Sequence, residues 1–510
     1  MVTRGSIWLT LPPGFNRHLR PFIGLLLGLL TSACQDTQPH TIVFAVATAP
    51  SVLDPRLASD ASSERTNALL YDRLVTLDEK GSPQPAMASW QALSPRHYLI
   101  TLNPQRATFW NGEKPTAIDV AETYRSLLDP AAGSPHTGAL SHIERIEVVS
   151  RDRLAFRLSR GDPQFISRLT LGIAPAQAIR KGGLARRPMG SGAFEFMRWR
   201  DDGGALLLRR SDGQRIALTP VSDPTMRTLK LLRGEAHLLQ NDLPAELFVY
   251  LDRQQDLQLQ ERPGTTFAYI GFNLADPVLS DRNVRAAIAH AIDRDAIIAH
   301  LFGARAQKAE SVLRPEHWAG VTGLQGYDYD PARARALLER AGYGPERPLD
   351  LGYKTSTDPF RVRIAHVFQS QLAEVGIRLK LASYDWGTFF GDIRAGRFQL
   401  YSLAWVGVNT PDIFRYAFHS ISRPPGGANR GGYASASVDR LIDAAESADP
   451  DRAAALYAEV QRQVHKDLVY VPLWYESNLV ASRGVRGYLP GHDGAYLSLS
   501  QVRMVDDGRQ

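Results

Sequence analysis

A chain of 510 residues is long enough for more than one domain, because single hydrophobic cores rarely keep growing past about 250–300 residues. With 44% hydrophobic and 22% charged residues it has the composition of a folded globular protein, not of a collagenous, coiled-coil or wholly disordered chain. The net charge of +6 includes Arg4, Arg17 and Arg20; without them 56 basic face 53 acidic side chains, and no dense basic stripe remains to neutralise phosphates, so nucleic acid is not an expected partner.

The first element in chain order is a leader. Arg17, His18 and Arg20 precede the apolar run Pro21 to Leu30, which ends in Thr31-Ser32-Ala33-Cys34. A basic region, a short apolar core and small residues predict an export signal over residues 1–33. The run is too short to span ~30 Å of hydrocarbon as a helix. Cys34 is the sole cysteine, so no intramolecular disulfide forms. Its setting resembles a bacterial lipobox, departing from it at Thr31. That resemblance implies lipidation of Cys34 and a membrane anchor, with residues 34–40 as a polar tether; a free exported thiol is the alternative.

Beyond the tether, strands and helices alternate. Strands are expected over Thr41–Thr48, Tyr98–Asn103, Glu147–Ser150, Leu154–Ser159, Ala193–Trp199 and Ala205–Arg210, then over Phe267–Leu274, Leu349–Thr355, Ile377–Tyr384, Phe398–Trp405 and Leu479–Ser482. Thr116 with Asp119 opens a helix that Pro130 stops. Asp330-Pro331 opens another, ending at Gly342. Ile364, Phe368, Leu372 and Val375 form an apolar stripe that ends at Gly376, and Leu456, Val460 and Val464 form one more. Residues 422–432 form a Pro- and Gly-rich loop. Interleaved helices and strands predict α/β lobes.

Catalytic chemistry has little to stand on. The sequence contains no HExxH, CxxC or GxxxxGK[ST], and Gly190-Ser191-Gly192 lacks nucleophile-elbow spacing, so a tight turn before a strand is expected there. Thirteen histidines are scattered without metal-ligand spacing; His290 and His300 are expected on a helix surface. The chain is therefore not expected to be an enzyme or to carry a cofactor or metal.

An ordered set of segments carries a resemblance. It begins with Leu53-Asp54-Pro55, residues 70–75 (LYDRLV), 85–90 (PAMASW), 109–112 (FWNG) and 116–120 with Arg125. It continues through residues 190–194, 227–235, 269–273, 284–288 with 292–294, 329–343, Trp405, 429–433 and 472–474. In order and spacing these resemble the family-5 extracellular solute-binding proteins, the dipeptide and oligopeptide receptors of ABC importers. The resemblance implies an α/β, two-lobed periplasmic-binding-protein-like clamshell of the large type II cluster. Its first lobe would be residues 41–265, with an extra subdomain at about 70–175. The second would be 266–478, with a return to the first over 479–510. It further implies a peptide or peptide-like ligand, ABC permease and ATPase partners, and a monomer outside the inner membrane. Two alternatives stand beside it: a lipoprotein sensor or scaffold on the same fold, and an importer subunit for a sugar or metal chelate.

In peptide-binding relatives a Trp is followed three positions on by an Asp that pairs with the ligand's α-ammonium. Here Trp405 is followed by Val408, which offers no charge. Asp412 is a candidate substitute, against a cap or turn role after Pro411. The remaining candidates are Trp405 at the cleft wall, Asn409 and Asn429 for ligand amides, Arg430 for a ligand carboxylate, and Tyr269 and Tyr433 as cleft lining. Each also has a purely structural reading.

Overall fold

The protein is described from a computed structural model, over residues 41–505. The leader, Cys34 and the tether lie outside the described residues. No described helix is long and apolar enough to cross a membrane.

One sheet of eleven strands organises the chain. From one edge its order is Ile377–Tyr384, Leu349–Ser356, Leu400–Trp405, Gln258–Phe272, Tyr470–Ser482, Leu238–Gln240, Ile42–Val46, Arg215–Pro220, Ala205–Arg209 and Phe194–Trp199; Ala306–Lys308 pairs beside Tyr470–Ser482. A separate antiparallel sheet of four strands, within Ala88–Leu158, sits on its own core running from Leu74 to Ile173. Further cores lie at the Ile42–Val46 end of the long sheet and, packed as two clusters, at the Leu349–Trp405 end.

Two long antiparallel strands, Gln258–Phe272 and Tyr470–Ser482, join the ends of that sheet. Gln258–Arg262 pair with Asn478–Ser482, and Thr266–Gly271 pair with Tyr470–Glu476. The expected strands at 267–274 and 479–482 are fragments of these. Pro263 and Pro472, which disguise the continuity, fall at the two register slips, where a missing N–H breaks no ladder. Gly264 is needed at the first slip, since a Cβ there would lie 2.2 Å from the Glu476 carbonyl oxygen.

The helix signals translate directly. The Thr116 backbone N–H donates to Asp119 Oδ2 at 2.8 Å at the head of Ala117–Leu128. Asp330 Oδ1 accepts from the Arg333 N–H at the head of Pro331–Arg340. Gly190 and Gly192 allow close approach to the end of helix Ala61–Leu70; Cβ atoms would lie 2.0 and 2.4 Å from the carbonyl oxygens of Leu70 and Leu69. One expectation is corrected: His290 is buried in helix Arg282–Ala291, where its Nδ1 donates to the Asp328 carbonyl at 2.7 Å. The surrounding core and that single backbone acceptor hold it inside.

Candidate functional site

The strand Leu400–Trp405 lies beside Gln258–Phe272, so Trp405 faces Phe267 in register and its loop, residues 406–410, runs toward the other end of the sheet. There a Cβ on Gly407 would lie 3.1 Å from the Asp493 carbonyl oxygen. Asn409 accepts from Thr265 Oγ1 at 3.3 Å, and its carbonyl accepts from His317 Nε2 at 3.1 Å and crowds Gly81. The loop thus touches residues from four distant stretches of chain.

Aromatic rings back this loop. Tyr470 stacks on Tyr269 at 4.0 Å, and Tyr269 lies parallel to Trp405 at 6.1 Å. The Arg430 guanidinium lies over Trp405, 4.8 Å from the ring centre, and 5.3 Å from Phe390, and its Nη1 donates to the Tyr269 hydroxyl at 3.2 Å. No described carboxylate lies within ion-pair distance of Arg430. The loop that presents it is fixed by Asn429, whose amide donates to the carbonyls of His419 and Tyr433 and accepts from the Tyr433 N–H at 2.9 Å.

The expected site residues therefore separate. Trp405, Arg430 and the Tyr269 hydroxyl come together, while Asn409 lies further along the loop against Thr265 and His317, and Val408 packs onto an apolar cluster. Asn429 uses its amide inside its own loop. Tyr433 is buried with its hydroxyl on Asp467, away from Arg430. Asp412, the first residue of helix Asp412–Phe418, is paired with the buried Arg168. Its carboxylate therefore has a partner within the chain, at the head of that helix.

Arg168 belongs to a network that local sequence did not announce. Its Nε donates to Asp162 at 2.8 Å, and Asp162 also takes His142 Nε2 at 2.9 Å. Burial raises the Asp162 carboxyl, but Arg168 and then His142 more than reverse that and hold it down at about 2. Nearby, buried Glu446 accepts from Arg160 at 2.6 Å and from Arg415 at 2.7 Å. Residues 142–168 are thereby tied to helices Asp412–Phe418 and Ala436–Ser447.

A second charged group, around Arg73, was also missed. Glu64 is solvent-exposed, with neighbouring protein displacing part of its water. That desolvation pushes its carboxyl up to about 7, against the pull of Arg73. Burial lowers the Arg73 guanidinium, opposed by Asp493 and Glu64. Arg65 lies over the Tyr496 ring at 5.6 Å. Among the described residues, no three His, Cys, Asp or Glu side chains are placed to hold a metal ion.

Residues 81–423 match the family model of the bacterial extracellular solute-binding proteins, family 5. The chain belongs to that family. It is 27% identical to di/tripeptide-binding protein 2 of Pseudomonas aeruginosa over 91% of this chain and 95% of the relative. Among solved structures it is similar to the DppA binding protein of Helicobacter pylori in complex with the peptide STSA. That match has a TM-score of 0.81 and 25% identity, and covers 91% of this chain and 98% of the other. The nickel–histidine complex of NikZ from Campylobacter jejuni also has a TM-score of 0.81, at 20% identity, and covers 91% of this chain and 99% of that one. A member of family 5 has the two-lobed clamshell, and it binds solutes without transforming them.

Proposed function

We propose that this family-5 protein captures a peptide or peptide-like solute outside the inner membrane and delivers it to the permease and ATPase subunits of an ABC importer. The observation that carries this reading is end-to-end similarity to a di/tripeptide-binding protein, together with a loop wall that meets polar groups of the facing lobe. A peptide's backbone groups lose water on burial, so such edges must replace those bonds. The lobes are residues 41–265 with the return 479–510, and 266–478; the register slip between Arg262 and Thr266 is the support for a hinge there. Trp405, Asn409, Arg430 and Tyr269 form the solute-facing wall, with Val408 apolar beside them. Residues 1–33 are the export signal, and a lipid on Cys34 anchors a monomeric protein.

A thermal-shift screen of the mature protein tests the reading, because a ligand that binds only the folded form raises the melting temperature. Di- and tripeptide pools should raise it. Shifts with sugars or metal chelates and none with peptides would overturn the assignment. In cells, radioactive palmitate should label the protein and should not label Cys34→Ser.

A further inference from the structure

The edge of the long sheet farthest from Trp405 carries charge that the site does not use. Phe194–Trp199 is the last strand in the order, with no strand on its outer side among the described residues. Residues 176–200 hold six basic side chains, Arg180, Lys181, Arg186, Arg187, Arg198 and Arg200, against one acid, Glu195. The fold brings the two halves of this stretch together. Arg186 lies over the Trp199 ring at 4.1 Å, and Trp199 Nε1 donates to the Arg186 carbonyl at 2.8 Å. The acids at hand, Glu122, Glu195 and Asp202, are matched by Arg180, Arg210 and Arg200. That leaves Lys181, Arg186, Arg187 and Arg198, all exposed, without an ion pair among the described residues, against the single unpaired acid Asp201. Met197, at the register slip between Phe196 and Arg198, is 43% exposed beside them. Exposed cations around a Trp and a Met suit a membrane interface, where cations meet phosphate and apolar groups enter the headgroup layer.

Position decides the occupant. Ile42, the first residue of its strand, lies in one row with Ile216, Leu207 and Phe196. At about 4.8 Å per strand, the edge is roughly 15 Å from where the chain enters the sheet. The steps from Cys34 to Thr41 span at most about 25 Å. A lipid on Cys34 and this edge therefore reach the same membrane surface. Tethering keeps the face near that surface, so a small surplus of positive charge is enough to hold it there. The wall around Trp405 lies toward the opposite edge of the sheet and stays uncovered.

We infer that the Phe194–Trp199 edge, with the basic segment 180–187, docks on the anionic phospholipid headgroups of the membrane that holds the anchor. The inference rests on the lipid-anchor reading and adds the face that the protein turns to that membrane.

Vesicle co-sedimentation tests it with the mature Cys34→Ser protein, which carries no lipid. Vesicles of phosphatidylglycerol and phosphatidylcholine in about equal parts should bind it at low ionic strength at least about tenfold more tightly than phosphatidylcholine alone. Binding should weaken as salt rises, because the contacts are screened. The triple variant Lys181→Glu, Arg187→Glu, Arg198→Glu should lose this binding and keep its melting temperature. An equal charge change at exposed arginines elsewhere, Arg333→Glu, Arg340→Glu, Arg452→Glu, should keep most of it. Should the first triple variant not fold, hydrogen exchange on the Cys34→Ser protein decides, with protection by the same vesicles expected over residues 180–200. Equal loss in both triple variants, equal binding without phosphatidylglycerol, no binding at low salt, or protection elsewhere overturns the inference. So does tighter binding to free poly-glutamate, which would assign the face to an acidic protein partner. Palmitate labelling reads the anchor and peptide thermal shifts read solute capture, so either reading can fail apart from this one.

Discussion

Truncating Asn429 to alanine would strip partners from two carbonyls and one N–H in a buried loop. Unsatisfied buried groups cost about 1–3 kcal/mol each, and partial relaxation leaves an expected loss of about 2–3 kcal/mol in urea unfolding. A change below about 0.5 kcal/mol would show that the loop holds itself without the amide. At this scale the sequence was informative about identity and poor about partnership. Arg430 and Trp405 were nameable as candidates from their motif positions. That Phe390 completes the frame around Arg430, or that Arg168 neutralises Asp412, depends on contacts between remote stretches of chain. No local periodicity encodes them.

Between elements, the ties from residues 142–168 to helices Asp412–Phe418 and Ala436–Ser447 depend on pH in a defined direction. Asp162 titrates near 3.8 in an open chain and at about 2 here. A lowered acid pKa stabilises the fold fully above the open-chain value, and that contribution disappears as pH falls from about 4 to 2. The shift corresponds to roughly 2 kcal/mol. Asp162→Asn should therefore flatten the acid limb of the stability curve in that window and lower the plateau at neutral pH. A curve parallel to that of the unaltered protein would show that Asp162 does not carry the network. Element boundaries were legible wherever a cap or glycine marks them, as at Thr116, Asp330 and Gly376. They were illegible in the two long strands, because Pro263 and Pro472 signal interruption in any local reading and only the register slips accommodate them.

For the molecule as a whole, the clamshell was legible through an ordered set of individually weak segments, since fold is a property of the entire series. If the lobes close on solute, X-ray scattering should give a smaller radius of gyration with saturating ligand than without it. Identical profiles while calorimetry reports binding would argue for a cleft that is closed beforehand. Arg73 interacts electrostatically with residues near both ends of the chain, Glu64 and Asp493. The same is true of the sheet: Leu238–Gln240 sits between Ile42–Val46 and Tyr470–Ser482, so its final partner is almost the last strand to be made. A polypeptide threaded N-terminus first through a narrow pore must therefore keep that sheet edge unpaired until residue 482 has passed. On the far side of such a pore, the sheet could be completed only when nearly the whole chain had arrived.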